Sequence, residues 1–234
     1  MLKIFFVVGL YLLSFSDRAQ ASANRDTLEG NMDIHVLRAI FTMNPWLSYD
    51  VDYSWKMGTP SFSTETRHYN IHNGQYLVDN GVVKSIKNYG LSFSVDTAGK
   101  AISVNNAAGT PLSVLLFFDF DNSQAWSYHI KRTYVVDSGS LRKLVVEFKP
   151  ASPWESYTAV YDPANFLPKQ VRYSMKQNNS SGQRADYEYI CNFKNYQTTA
   201  FDEAVFSHDP YFSRENGTPV LKPAYSNYQL FIYP

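Results

Sequence analysis

The segment Leu47-Ser-Tyr-Asp-Val-Asp-Tyr-Ser-Trp-Lys-Met57 alternates without a break. Every odd-numbered residue is apolar or aromatic and every even-numbered one is polar. Successive side chains of a β-strand point to opposite faces, so this is a strand with one dry face and one wet one. Such a strand cannot stand alone. It commits the chain to a sheet with a covered side.

The neighbouring sequence supplies that sheet. Ser61 to His72 reads as a second strand. Asn73-Gly74 and Asn80-Gly81 are hairpin dipeptides and bracket a short strand, Gln75 to Asp79. Val82 to Asn88, Leu91 to Asp96 and Ala101 to Asn105 follow. Thr97-Ala-Gly-Lys100 joins the last two, and Gly99 is the residue expected to take a positive φ there. Further on, Trp126, Tyr128, Ile130, Tyr134 and Val136 share one face, interrupted by Arg132. Leu141 to Lys149, Tyr157 to Asp162 and Leu167 to Gln177 read as strands. Ala185, Tyr187, Tyr189, Cys191 and Phe193 form the apolar face of a long one. Ser213 to Pro223 reads as a surface loop, and Tyr225 to Tyr233 as an edge strand.

Two stretches have helical spacing instead. Asn31 to Asn44 is amphipathic, with Val36, Leu37, Ile40 and Phe41 in one stripe, Asp33 in its first turn and Pro45 as its stop. Thr110 to Asp121 is apolar nearly all round. Thr110 can cap it, Pro111 suits the first helical position, and Leu112, Leu115 and Leu116 form its stripe. A helix greasy on every side has to be buried on every side. The short connections imply antiparallel pairing. The expectation is an α+β fold: a curved antiparallel sheet of about 11 strands, an incomplete barrel wrapped around one or two helices.

Residues 1–23 read as a secretory signal. Met-Leu-Lys is a basic start, Ile4 to Phe15 an apolar run, and Ala19-Gln-Ala21 and Ala21-Ser-Ala23 are cleavage sites, so the cut is expected near Ala21 or Ala23. The apolar run is shorter than the roughly 20 residues that a bilayer demands, and no later stretch is long enough to span. The expected divisions are the signal at 1–23, a half-barrel domain at 24–212, and a C-terminal loop with an edge strand at 213–234. The single cysteine, Cys191, allows no internal disulfide. With 21 basic and 21 acidic residues the chain lacks the basic excess of a nucleic-acid binder.

Catalytic and metal chemistry is weakly represented. His68 and His72 share a strand face, but no third ligand accompanies them. Asp119-Phe-Asp-Asn-Ser123 starts like a calcium loop and lacks the loop's glycine and distal glutamate. Asp50 and Asp52 share a face, and Glu65 opposite them would make a carboxylate pair of the glycosidase kind. The simpler reading is a solvated strand face. No Gly-x-Ser-x-Gly elbow is present. Neither catalytic residues, nor a metal, nor a cofactor is expected, so the chain reads as non-enzymatic. Arg132 snorkels at a sheet end, or else meets a lipid headgroup or carboxylate at a cavity mouth.

The order of elements resembles the LolA/LolB-type outer-membrane lipoprotein carriers. An amphipathic N-terminal helix precedes a long aromatic strand. Gly90-Leu-Ser-Phe-Ser-Val-Asp-Thr-Ala-Gly-Lys-Ala-Ile-Ser-Val104 is similar to that family's hairpin ahead of its internal helix. Tyr157-Thr-Ala-Val-Tyr-Asp-Pro-Ala-Asn-Phe-Leu-Pro-Lys-Gln-Val171 is similar to its late hairpin. Phe201 to Tyr211 is similar to its closing segment. Arg67 falls on the strand where that family carries an arginine, but no role is transferred to it. The resemblance implies a periplasmic half-barrel whose apolar cavity holds the acyl chains of a lipid or lipoprotein. The lining expected here is Tyr49, Val51, Tyr53, Trp55, Leu91, Phe93 and Val95, with Leu112, Leu115 and Leu116 from the helix. The alternative is an envelope structural protein with the same fold and a dry core, whose segment Tyr225–Tyr233 adds to a partner's sheet edge.

Overall fold

The computed structural model describes residues 30, 32–37, 39–41, 45–58, 61–105, 128–178 and 184–233. The signal segment and the helix expected at Thr110–Asp121, with Leu112, Leu115 and Leu116, lie outside the described residues.

A short helix, α1, covers 32–37 and 39–41. The strands are β1 (Leu47–Met57), β2 (Ser63–His72), β3 (Gln75–Asp79), β4 (Val83–Lys87), β5 (Ser92–Asp96), β6 (Ala101–Asn105), β7 (Ile130–Ser138), β8 (Leu141–Phe148), β9 (Trp154–Tyr161), β10 (Pro168–Asn178), β11 (Arg184–Gln197), β12 (Phe212–Glu215), β13 (Thr218–Leu221) and β14 (Gln229–Tyr233). Twelve of them form one sheet in the order β14-β6-β5-β4-β3-β2-β1-β11-β10-β9-β8-β7. The sheet is curved and unclosed, an incomplete barrel. All its pairings are antiparallel except that of β14, which runs parallel to β6. β1 is central: it pairs with β2 on one side and β11 on the other.

The turn chemistry follows the dipeptides in most places. Asn73 and Gly74 both take positive φ, 48° and 78°, as a two-residue hairpin turn demands. In the β5–β6 turn the positive φ falls on Lys100 (48°) rather than Gly99. Gly99 is needed for space instead. Its N–H bonds the Asp96 carboxylate at 2.7 Å, and a Cβ there would stand 2.6 Å from that carboxylate. The segment expected as a surface loop, Ser213–Pro223, is largely a hairpin. Asn216 and Gly217, both with positive φ, turn β12 into β13.

The sheet is covered on opposite faces at its two ends. On what we call the inner face, α1 packs against β1, β2 and β8–β11. Leu37, Phe41, Leu47, Tyr49, Val51, Leu144, Ala159, Val171 and Cys191 form this first cluster. Fully burying a Leu or Phe side chain is worth about 1.5–3 kcal/mol, so the helix is anchored chiefly by Leu37 and Phe41. On the outer face, Leu77, Ile86, Phe93, Val95, Ile102 and Val104 of β3–β6 form a second cluster. The C-terminal segment covers it with Phe206, Phe212 and partly buried Tyr211, Tyr225 and Leu230.

Candidate functional site

The apolar side of β4–β6 faces outward under the C-terminal segment, so their polar side faces inward, while β3 turns Leu77 outward and Tyr76 and Val78 inward. Register brings Ser85, Ser94 and Ser103 into one row across β4, β5 and β6. Ser92 and Asn105 pair in the next row. These residues, with Arg67 and Tyr76, wall an open cavity of about 270 Å³. That size falls just below the roughly 300–1,000 Å³ of small-molecule sites. Tyr233 also lines it. Phe231, two residues earlier on β14, shares Tyr233's face, and both rings are largely exposed.

Arg67 is the one charged residue among the described lining. It sits on the inner face because β2 alternates in register with β1: Val51 lies opposite Arg67, and Tyr53 opposite Glu65. The guanidinium stands over the Tyr53 ring, 4.5 Å from its centroid. Its Nε and Nη2 donate to Glu65 Oε1. Asn80 Nδ2 donates to the other oxygen of Glu65 at 3.3 Å. Tyr53 and Tyr69 share a buried hydroxyl–hydroxyl bond beside it, and the Tyr69 ring stacks on Tyr49 at 4.8 Å. Burial pushes the Tyr53 and Tyr69 phenols up, so both stay protonated. Burial also works against the charge on Arg67, but Tyr53, Tyr69 and Glu65 outweigh it and its pKa is raised. The result is a fixed cation held by an aromatic wall, facing a row of hydroxyls.

The expected lining residues do not converge. Tyr49, Val51 and Tyr53 belong to the first cluster, with Trp55 partly buried against it. Leu91, Phe93 and Val95 belong to the second, beneath the C-terminal segment. Phe93 alone among the described seven also borders the cavity. Ser85, Ser92, Ser94, Ser103 and Asn105 line it instead, none of them among the expected residues. Their signal was the polar half of the same alternation.

Arg132 stands elsewhere. An irregularity in the β7–β8 register between Ile130 and Arg132 breaks the expected face. Ile130 packs partly against the first cluster, while Tyr128 and Val136 are exposed. Arg132 Nη2 donates to Glu147 Oε1 at 2.7 Å, and its guanidinium lies 4.8 Å from the Tyr134 ring centroid. It therefore pairs on an edge strand, away from the cavity.

The carboxylates considered for catalysis are split between the faces. Asp50 accepts from His68 Nδ1 and Asn195 Nδ2, both at 2.7 Å, and Asp52 accepts from Thr66 at 2.7 Å and Lys194 at 2.6 Å. These lie on the outer face. Glu65 is on the inner one and cannot join them. His72 Nδ1 bonds the Pro45 carbonyl and its ring stacks on Trp46 at 3.6 Å. Burial pushes the Cys191 thiol up to about 12, which leaves it a core side chain rather than a nucleophile.

No family model matches the chain, and no curated protein matches it. Among solved structures it is similar to a DUF1329 family protein from Desulfovibrio piger, at 8% identity and a TM-score of 0.37, covering 79% of this chain and 99% of that one. It is also similar to an outer membrane lipoprotein-sorting protein domain from Vibrio parahaemolyticus, at 11% identity and a TM-score of 0.36, covering 77% and 98%. A LolA superfamily protein from Nitrosomonas europaea matches at 11% identity and a TM-score of 0.29, covering 77% and 98%.

Proposed function

We propose that the chain is an exported, non-enzymatic binder or carrier of an acyl-bearing lipid or lipoprotein in the periplasm. The polar head of the ligand enters the cavity beside Arg67. The observation that carries this reading is the open inner face between β2 and β6, walled by Arg67, Ser85, Ser94 and Ser103. A cavity of about 270 Å³ accommodates a head or a short segment rather than a whole lipid. The chain of the ligand then runs out past Tyr233 and Phe231, which stand exposed at the rim. Each methylene removed from water adds about 0.8 kcal/mol, so affinity needs no directional contact along the chain. Only the head requires placed polar groups, and those are what the cavity offers.

The second reading is an envelope structural protein without a ligand. It is favoured by the first cluster, where Tyr49, Val51 and Tyr53 are at most 5% exposed and already packed. Its partner strand would have to use the outer edge of β14, because β6 occupies the other. Native mass spectrometry of protein purified from its own envelope separates the two. The binder reading expects a lipid mass retained on the intact protein and released by organic solvent. Ligand-free protein that also gives no saturable signal with a fluorescent fatty-acid probe would leave the structural reading standing.

A further inference from the structure

We infer that the Arg67 cavity is an oxyanion subsite, selecting ligands whose head is a carboxylate or a phosphate. This rests on the binder reading above and narrows it. Three observations point the same way. First, a cation lies on the inner face opposite Val51, with its guanidinium over the Tyr53 ring. Its side chain keeps 38% of its surface exposed, so the guanidinium stays within reach of a ligand. Second, Glu65 holds Arg67 through Nε and Nη2, a pairing that does not involve Nη1. Asn80 in turn holds Glu65. The guanidinium also hydrogen-bonds Tyr69, and of its five N–H groups at least two remain for an incoming oxygen. Planar guanidinium forks recognise carboxylate and phosphate better than a point charge does. Third, four serines and an asparagine line the cavity beside Tyr76, Val78, Ile86, Phe93 and Tyr233. The row of Ser85, Ser94 and Ser103 provides hydroxyls that rotate to donate, and no carboxylate lines the cavity among the described residues. Lys87, Glu65 and Asp96 lie on the same face outside the described lining, so Arg67 is the charge that borders the cavity. A cationic head would be repelled by Arg67, and a neutral one would accept from these donors more weakly than an oxyanion does.

The test is a matched set of ligands on the mature protein: dodecanoate, dodecyl phosphate and dodecanol, with inorganic phosphate as competitor. The two anions are expected to bind at least tenfold more tightly than the alcohol. Arg67→Gln should remove that preference, by about tenfold to a hundredfold for the anions, while leaving the alcohol unchanged. Arg67→Lys should restore part of it. If Arg67→Gln does not fold, Ser94→Val and Ser103→Val take its place, and each should reduce the anion preference several-fold at an unchanged melting temperature. Equal binding of anions and alcohol overturns the oxyanion subsite and spares the acyl reading. A preference that survives in the variants also overturns it. Inorganic phosphate that binds while no twelve-carbon ligand does keeps the subsite, makes its source free phosphate, and overturns the acyl reading. Binding of none of them overturns both.

Discussion

Asp33 shows how far a residue's role can lie from its local signal. In the sequence it sits in the first turn of a helix, where a carboxylate favours the dipole. In the structure it is buried and accepts a hydrogen bond from the hydroxyl of Tyr161 on β9, with Arg142 of β8 at 3.8 Å. It is a tether between α1 and the sheet. Asp33→Ala leaves the Tyr161 hydroxyl without that acceptor and should cost about 1–3 kcal/mol in urea unfolding. A loss below half a kcal/mol would place the helix's attachment in its apolar stripe alone. The same gap between local signal and role appears at Arg67. Nothing in Thr66-Arg67-His68 distinguishes it from a surface arginine. Only the pairing with β1 turns it inward, against Tyr53.

Among the elements, the strands of β1–β6 and β8–β11 were legible because alternation and Asn-Gly turns are local. β12 and β13 were legible in principle, through Asn216-Gly217, but Pro219 and the short runs around it masked them. What β12 and β13 do could not be read. They and the turns beside them cover the outer face of β3–β6, with Phe206 and Phe212 fully buried on Phe93 and its neighbours. Phe212→Ala should therefore behave as a core truncation, costing about 3–5 kcal/mol by thermal or denaturant melting, although it is the last residue before what reads as a tail. A change under 1 kcal/mol would mean the C-terminal segment is a loosely held cover. The two edges of the sheet also differ. β7 carries Lys131, Arg132 and Asp137, charges that discourage strand addition. β14, Gln-Leu-Phe-Ile-Tyr, carries none.

Across the whole molecule, acidic groups on the outer face are tied into cross-strand pairs. Glu188 accepts from Arg172 and pairs with Lys56 at 2.7 Å, Glu147 pairs with Arg132, and Asp52 with Lys194. Hydrogen bonds from these partners hold the Glu188, Glu147 and Asp52 carboxyls below their usual range. A lowered folded-state pKa gives stability that is present above the unfolded value, about 3.9 for Asp and 4.3 for Glu, and is lost as pH falls through the folded value. The melting temperature should then be level near neutrality and decline below about pH 4. The pairs are exposed, so each contributes little and salt should reduce the effect. A melting temperature that holds flat to pH 2.5 would show that these pairs do not bear on stability.

Pattern alone determined that this chain makes a one-sided antiparallel sheet of roughly the observed size, because a period of two is fixed by the geometry of each strand. It also determined which residues of a strand share a face. It could not determine which of the two faces looks inward. On β1 the apolar face lies under α1; on β5 and β6 the apolar face lies outward, under the C-terminal segment. That choice depends on which distant element arrives to cover which side, a matter of long-range packing with no local trace. It puts Leu91, Phe93 and Val95 under the C-terminal segment and turns Ser92, Ser94 and Ser103 toward the cavity. Arg67 lies on that same cavity wall, turned there by the pairing of β2 with β1.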